Sequence, residues 1–255
     1  MSQRDTSWEK VAKWYDRHVS EASDHQREII IPGALKLLNP KKGEKIIDIG
    51  CGQGEFCREM ANRGAQVVGV DASKSLIATA KKRSGEKYTI HYIVSDAGKL
   101  EGISEKTFDA ACSILAVQNM EDLAAVAKET ARVIKDNGRL ILVLNHPCFR
   151  IPRQSGWGFD EGRKLQYRRI DRYMSELKIP IQMHPGAAPG VTTWTFHRPL
   201  SVYFDQLNSN GFAVTRLEEW VSKRKSKPGA KARAENASRE EIPLFLAISA
   251  VKVCN

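Results

Sequence analysis

The sequence has no hydrophobic run long enough to cross a membrane as a helix. The longest aliphatic stretch, residues 140–144, has five residues, whereas a membrane helix needs about 20. The first thirty residues contain several charged side chains and no apolar segment of the kind that directs secretion. With 42% hydrophobic and 27% charged residues, the 255-residue chain is expected to be a soluble, cytoplasmic globular protein without membrane contact.

Cysteines are few and widely spread. The five are not arranged as a Cys-x-x-Cys pair, and none is spaced with histidines as zinc ligands are. An odd number of scattered cysteines is typical of free thiols in a reducing compartment. The sequence therefore predicts neither a disulfide framework nor a metal site.

Positive charge is in excess and unevenly distributed. The formal net charge is +10, from 40 lysines and arginines against 30 acidic residues. Residues 150–173 contain seven bases and three acids, and residues 216–240 contain eight bases and four acids. These segments are either two solvated surface loops or a means of attracting an anionic substrate.

Hydrophobic runs alternate with helical patterns along much of the chain. Strands are predicted at residues 45–49, 66–70, 88–94, 108–117, 139–144, 212–217 and 242–253. Helices are predicted at residues 7–19, 29–38, 55–62, 76–83 (with Ser73 as N-cap), 122–135 (ended by Gly138 in a left-handed conformation) and 199–209. This alternation indicates a doubly wound α/β sheet that is largely parallel.

The alternation stops after the fifth strand. Residues 145–195 contain five prolines and no clear period. A segment of this length without regular structure is usually functional or disordered, and its aromatic residues argue against disorder. We therefore expect a folded cap in this part of the chain.

A glycine-rich turn follows the first strand. Gly50, Gly52 and Gly54 let the main chain turn sharply and approach a ligand closely. Backbone N–H groups at a helix start favour an anionic group. The spacing differs from the dinucleotide fingerprint, and Asp48 places a negative charge beneath the turn. Both features disfavour a nicotinamide-dependent dehydrogenase and favour a ligand that carries an ammonium or sulfonium group.

Two further carboxylates follow the next two strands. Asp71 is placed to bind two ribose hydroxyls. Asp96 can accept a hydrogen bond from an exocyclic adenine amine. Because these residues follow neighbouring strands of a parallel sheet, we expect them to form one site with the glycine turn.

These motifs resemble a known family. Residues 46–54, 70–71, 95–97 and 108–110 resemble the successive motifs of class I S-adenosylmethionine-dependent methyltransferases. Residues 132–140, and residues 196–200, 207 and 211–212, resemble the UbiE-like branch of that family. The resemblance implies S-adenosyl-L-methionine as cofactor. It also implies a Rossmann-like, doubly wound seven-stranded sheet with strand seven antiparallel and a cap insertion after strand five.

The resemblance also implies a division of the chain. Residues 1–43 would form N-terminal helices over the cofactor site, and residues 44–145 the cofactor-binding core. Residues 146–197, the cap segment, would form the lid. Residues 198–255 would complete the core with strands six and seven and a basic loop at 223–239.

Carried over by position, the resemblance implies a set of cofactor-binding residues. These are Tyr15, Asp48, Gly50, Cys51, Gly52, Gly54, Asp71, Ala72, Asp96, Ala97 and Leu115. Tyr15 would close over the cofactor, or it would instead pack its helix against the core.

The residues that would handle the methyl acceptor are harder to predict. His146 follows strand five and has an ordinary pKa suited to a general base, although it could instead bond to the main chain at the hinge of the cap segment. Candidate substrate-binding residues are Asn119, Tyr167, Arg168, Tyr173, His197 and Arg198. A closing lid favours a small, anionic or aromatic acceptor methylated at oxygen, nitrogen or carbon. An RNA methyltransferase that uses the two basic segments, or cofactor binding without catalysis, remains the alternative.

Overall fold

The computed structural model of the protein describes Glu9, residues 25–182 and residues 192–253. Within these residues the strands are Lys45–Ile49 (β1), Gln66–Asp71 (β2), Ile90–Val94 (β3), Phe108–Ile114 (β4), Ile134–Asn145 (β5), Ser155–Asp160 (β6), Leu165–Ile170 (β7), Leu177–Gln182 (β8), Thr192–His197 (β9), Phe212–Trp220 (β10) and Phe245–Lys252 (β11). A π-helical turn, Gln26–Ile30, leads into helix α1. The helices are Ile31–Leu38 (α1), Glu55–Ala61 (α2), Lys74–Ser84 (α3), Leu123–Val133 (α4), Leu200–Ser209 (α5) and Ala232–Glu241 (α6).

Seven strands form one sheet in the order β10-β11-β5-β4-β1-β2-β3. Strands β1 to β5 pair in parallel, and β11 runs antiparallel to both β5 and β10. The predicted Rossmann-like sheet with an antiparallel seventh strand is confirmed, with β10 and β11 as strands six and seven. From β1 the sheet extends through β2 to β3 on one side and through β4 to β5 on the other. Sheets of this kind bind ligands at the carboxyl ends of the strands where the direction changes, which here are β1 and β4.

The sheet is covered by helices on both faces. Ile46 belongs to the hydrophobic cluster that includes α1, α2 and α3, whereas Ile47 belongs to the cluster on the other face with α5. Successive strand residues point to opposite faces, so a strand buried on both sides is hydrophobic throughout. No helix in the described part of the chain combines the length and apolar character required to span a membrane.

Several element boundaries differ from the prediction. Strand β4 ends at Ile114, because Leu115 adopts a φ of 54°. The left-handed residue after α4 is Asn137, with φ 61°, and not Gly138. A Cβ at Gly138 would lie 2.2 Å from Cγ2 of Ile134, so this glycine is needed for close packing.

The cap segment contains regular structure that the sequence did not reveal. Strands β6 and β7 form one antiparallel hairpin, and β8 and β9 form a second. The basic loop predicted at 223–239 includes most of α6, which packs against β7. Ser238 Oγ donates to Gln166 Oε1 at 2.6 Å, and Lys231 pairs with Glu161 at 2.9 Å. The two basic segments therefore lie side by side.

Candidate active site

The glycine turn after β1 has the conformation that its sequence predicts. Gly50, Gly52 and Gly54 have φ values of 78°, 53° and 75°, a region that other residues adopt at a cost. A Cβ at Gly50 would lie 2.5 Å from Cβ of Ala116, whereas a Cβ at Gly52 would meet no atom within 4 Å. Gly50 is therefore required by packing, and Gly52 borders open space where a ligand can approach the main chain.

Asp71 joins the glycine turn to the end of β2. Its Oδ2 accepts a hydrogen bond from the Gly52 N–H, and its Oδ1 accepts one from the Ser73 N–H, both at 2.9 Å. Burial raises the pKa of Asp71, and these two hydrogen bonds oppose that rise. Since each carboxylate oxygen has two lone pairs, Asp71 can hold the turn and still accept hydrogen bonds from ligand hydroxyls.

Asp48 is almost completely buried beneath the turn, with 2% of its surface exposed. The Cys57 thiol donates to its Oδ2 at 3.2 Å, and its Oδ1 is buried without a hydrogen-bond partner. Burial raises the pKa of Asp48 to about 6. A buried carboxylate with one unpaired oxygen is costly, and a positively charged ligand placed above it would reduce that cost.

The other predicted cofactor residues lie along the same edge. Asp96 follows β3, and its Oδ1 accepts from the Gly98 N–H at 2.8 Å. Leu115 follows β4 in its left-handed conformation, held by a 2.7 Å hydrogen bond from its N–H to the Val143 carbonyl. Cys51, Ala72 and Ala97 flank these residues in the chain. Neighbouring strands are about 4.8 Å apart, so this edge can accommodate a nucleoside with an attached chain. Tyr15 lies outside the described residues.

Glu9, which the sequence did not indicate as a functional residue, contacts the start of α3 next to Asp71. Its Oε2 accepts from Ser73 Oγ at 2.7 Å, and its Oε1 accepts from Ser75 Oγ. These bonds place a carboxylate at the first turn of α3, where the helix dipole favours negative charge. A Glu within a helical pattern gives no signal for such a distant contact.

His146 is enclosed by hydrogen bonds. It is 2% exposed, its Nε2 lies 2.7 Å from Glu219 Oε1, and its Nδ1 accepts from the Cys148 N–H at 3.2 Å. Nδ1 is therefore the acceptor and Nε2–H the donor. Burial lowers the pKa of His146, and Glu219 opposes that shift. Both ring nitrogens are engaged in hydrogen bonds, as the alternative reading of His146 as a hinge residue expects, and its role as a general base stays a prediction.

Three of the predicted substrate residues connect the cap segment to the core. His197 Nε2 donates to the Tyr173 carbonyl at 2.7 Å, and Tyr173 Oη accepts from the Leu200 N–H at 3.0 Å. Arg198 is 4% exposed, and its Nη2 donates to the carbonyls of Met120 and Glu121 at 2.9 and 2.6 Å. Arg198 thus connects the end of β9 to the segment that follows β4, whereas Tyr173 and His197 connect the residues between β7 and β8 to the end of β9 and the start of α5.

Of the remaining candidates, Tyr167 and Arg168 are neighbours on β7, whereas Asn119 follows β4. Arg168 donates to the Phe149 carbonyl and to Ser155 Oγ, and its guanidinium stacks on Trp157. Tyr167 lies on the hairpin with 45% of its surface exposed. Asn119 Nδ2 contacts the Leu115 carbonyl at 3.4 Å, which keeps it near the end of β4. Of this set, Asn119 lies nearest in the chain to the proposed cofactor residues.

Two surface hollows lie elsewhere. One of about 330 Å³ adjoins Arg139 in β5, and one of about 220 Å³ adjoins Tyr88 before β3. Both are at the amino-terminal edge of the sheet. They contain none of the residues described above, so the chemistry of the strand ends, and not the size of a hollow, identifies the candidate site.

Comparisons with known proteins agree with this arrangement. Residues 47–142 match a family model described as a methyltransferase domain. The chain is 31% identical over 139 residues to a demethylmenaquinone methyltransferase of Tropheryma whipplei (strain Twist), covering 54% of this chain and 57% of that protein. It is 31% identical over 109 residues to a ubiquinone biosynthesis O-methyltransferase of Bradyrhizobium diazoefficiens, covering 42% of each. The chain thus spans about half the length of these curated relatives.

A solved structure is similar over a larger part of the chain. It is the crystal structure of an S-adenosylmethionine dependent methyltransferase from Mesorhizobium loti. The two chains are 30% identical with a TM-score of 0.67, and the similarity covers 86% of this chain and 96% of that one. The similarity therefore extends beyond the nucleotide-binding motifs to most of the fold.

Proposed function

This chain belongs to the family of S-adenosylmethionine-dependent methyltransferases, and from this premise we propose that it transfers a methyl group to a small anionic or aromatic acceptor. S-adenosyl-L-methionine is the cofactor, and when bound it supplies a methyl group activated on a sulfonium. The observation that supports the proposal most directly is the arrangement of Asp48, Asp71 and Asp96 at the ends of three adjacent parallel strands, around an open glycine turn.

Within this proposal each carboxylate has a separate task. Asp71 accepts hydrogen bonds from ribose hydroxyls while its bonds to the Gly52 and Ser73 N–H groups fix its orientation. Asp96 accepts a hydrogen bond from the adenine amine, and Asp48 offsets the positive charge of the cofactor from below. The turn formed by Gly50, Gly52 and Gly54 provides room for the methionine portion. Cys51, Ala72, Ala97, Leu115 and Tyr15 complete the proposed contacts.

The protein contributes mainly alignment in this proposal. Holding two reactants in line contributes roughly 7–11 kcal/mol to catalysis, whereas a general base adds about 10²–10⁴-fold. The hydrogen bonds of His146 leave it to position the start of the cap segment. We propose that the cap segment, residues 146–197, acts as the lid that excludes water from the reacting groups.

The names of the relatives bear on the class of acceptor. One is named for demethylmenaquinone and another for an O-methylation in ubiquinone biosynthesis. Both names support a small-molecule acceptor for this chain and do not favour RNA. We also propose a cytoplasmic location, which the free thiols Cys57 and Cys112 support.

A matched pair of glycine variants tests the site. Gly52 and Gly102 both have positive φ, 53° and 77°, and a Cβ on either would meet no atom within 4 Å. Alanine therefore introduces a similar backbone strain at each position, about 1 kcal/mol. Only Gly52 borders the proposed site, so Gly52→Ala should lower the affinity for S-adenosylhomocysteine at least tenfold, and Gly102→Ala should leave it unchanged.

Isothermal calorimetry on the purified chain measures both affinities, with NAD as the negative control ligand. Mass spectrometry of an acceptor library incubated with S-adenosyl-L-methionine then detects methylated products. If the wild-type chain gives no binding heat with S-adenosylhomocysteine or with S-adenosyl-L-methionine, the proposed function is wrong. Binding without any methylated product would instead support the alternative of a cofactor-binding protein.

A further inference from the structure

Within the part of the chain that the structure describes, the guanidinium of Arg150 contacts an aromatic ring but no hydrogen-bond acceptor and no carboxylate. It lies one turn after the carboxyl end of β5, and its N–H donates to the His146 carbonyl at 2.8 Å. The side chain is half-buried, yet among the described residues it makes no hydrogen bond and no ion pair. Fully buried arginines are almost always paired, and Arg150 is half-buried with an aromatic ring as its side-chain contact.

The surroundings of Arg150 increase its need for an anion. Burial lowers the pKa of Arg150, and the nearby guanidinium of Arg168 lowers it further. The hydrogen-bond acceptors of Arg168 are both uncharged, the Phe149 carbonyl at 2.7 Å and Ser155 Oγ at 2.9 Å. Two guanidinium groups thus share a partly buried region in which the described hydrogen bonds supply no carboxylate. Desolvated charge of this kind is costly unless an opposite charge accompanies it.

The geometry leaves the donors of Arg150 available. Its Cζ lies 5.3 Å from the centre of the Phe245 ring, and Phe245 is 4% exposed. A cation–π contact of this kind uses none of the five N–H donors of the guanidinium. No nitrogen of Arg150 is among the completely enclosed, unpaired polar atoms of the described residues, in contrast to Nη1 of Arg198. A ligand can therefore reach it from solvent.

Arg150 lies on the acceptor side of the candidate site. Phe245, whose ring it contacts, pairs with Asn145 at the end of β5. Strand β5 adjoins β4 on the side away from β1, β2 and β3. The proposed cofactor residues follow β1 to β4, so Arg150 lies beyond the last of them along the edge. A ligand group bound by Arg150 would therefore lie next to the end of β4, which Leu115 follows.

We propose that Arg150 binds a carboxylate or phosphate of the methyl acceptor and thereby selects anionic acceptors. This assignment rests on the proposed function, because it takes the reacting methyl group to lie above the end of β4. Arginine forms two parallel hydrogen bonds with a carboxylate or phosphate, and its contact with the Phe245 ring restricts where the guanidinium lies. Arg150 is then a specificity-determining residue.

The test uses the complete chain in two stages. Calorimetry first measures the affinity for S-adenosylhomocysteine of wild type, Arg150→Gln, Arg150→Lys and the control Arg163→Gln, which removes an exposed charge from the turn between β6 and β7. The protein loaded with S-adenosylhomocysteine is then titrated with benzoate, 4-hydroxybenzoate and phenyl phosphate. Benzamide and 4-hydroxybenzamide serve as uncharged counterparts.

The proposal expects the first stage to be unaffected by any of these variants, within twofold. In the second stage the anions should bind wild type and Arg163→Gln more tightly than the amides do. Arg150→Gln should weaken anion binding at least tenfold, and Arg150→Lys should have an intermediate effect because a lysine keeps the charge but lacks the planar donors. If Arg150→Gln proves too unstable to bind S-adenosylhomocysteine, the comparison of Arg150→Lys with wild type decides the question.

Three results would overturn the proposal. The first is equal anion binding by wild type and Arg150→Gln, and the second is no preference of wild type for anions over amides. The third is a loss of S-adenosylhomocysteine affinity in both Arg150 variants with anion binding intact, which would show that Arg150 holds the carboxylate of the cofactor. Failure of wild type to bind S-adenosylhomocysteine at all would instead contradict the proposed function, so the two failures are distinguishable.

Discussion

Replacement of Asp48 by asparagine tests the buried charge beneath the glycine turn. Burial raises the pKa of Asp48 from 3.8 to about 6, a difference of about 2 pKa units, and each unit corresponds to about 1.36 kcal/mol. The ionised carboxylate therefore destabilises the fold by about 3 kcal/mol at pH 7.5. Asp48→Asn removes the cost of the buried negative charge and keeps an oxygen that can accept a hydrogen bond from the Cys57 thiol.

The sign of the pH dependence follows from the direction of the shift. Because the pKa is raised in the fold, the native state keeps a proton that the unfolded state loses between pH 3.8 and about 6. The contribution of Asp48 to stability is thus present at low pH and is lost as the pH rises through this window. An unpaired amide N–H in Asp48→Asn adds a penalty of about 1–3 kcal/mol, but this penalty does not vary with pH.

Urea unfolding at several pH values separates the two effects. The stability of Asp48→Asn minus that of wild type should increase by about 2 kcal/mol between pH 4.5 and pH 7.5. Asp205→Asn, which removes an exposed carboxylate from α5, is the control for loss of a negative charge. At pH 7.5 Asp48→Asn should also bind S-adenosyl-L-methionine more weakly than wild type does. A stability difference that stays constant from pH 4.5 to 7.5 would refute the reasoning.

Three further predictions concern packing and the hinge. His146→Ala should lower the free energy of unfolding by about 2 kcal/mol, because the variant loses a buried, hydrogen-bonded ring. Its affinity for S-adenosylhomocysteine should stay within twofold of that of wild type. If calorimetry shows a loss of affinity above tenfold, His146 belongs to the cofactor site. Burial lowers the pKa of this histidine, so wild type should lose stability as the pH falls below about 6.5, and His146→Ala should lose less over that range in urea unfolding. Gly138→Ala should cost about 1–3 kcal/mol because its Cβ would overlap Ile134, whereas Gly102→Ala, with space around it, should cost about 1 kcal/mol; similar thermal unfolding midpoints for the two variants would contradict this.

Local pattern was sufficient to predict most of the core sheet. β1 has the predicted bounds, and Ser73 caps α3 by accepting from the Leu76 N–H, as its position before an apolar helix indicates. The capping residue, the glycine turn and the carboxylates after each strand act through neighbours in the chain or through the regular alternation of strand and helix. Such features can be predicted because their physical causes are local.

The cap segment could not be predicted in the same way. Tyr173, His197 and Arg198 are polar or aromatic residues that lie within or just after the proline-containing residues 145–195. Their residue types fit a ligand-binding surface as well as a structural contact. Their partners decide between the two, and those partners are distant in the chain: Arg198 binds carbonyls 77 and 78 residues away. Residue type alone therefore favoured a substrate role, whereas the contacts favour a structural one.

The sequence by itself determined the strand and helix order, the glycine turn and the placing of one carboxylate after each of two strands, because hydrophobic periodicity and backbone preference act within a few residues. Only the tertiary structure decided that His146 is held by Glu219 at 2.7 Å and that the two basic segments pack together. It also decided that Arg150 has an aromatic contact but no hydrogen-bond or ion-pair partner for its guanidinium among the described residues. Each of these depends on which groups meet across the fold, and the free energy of a charge depends on those neighbours and on its access to water.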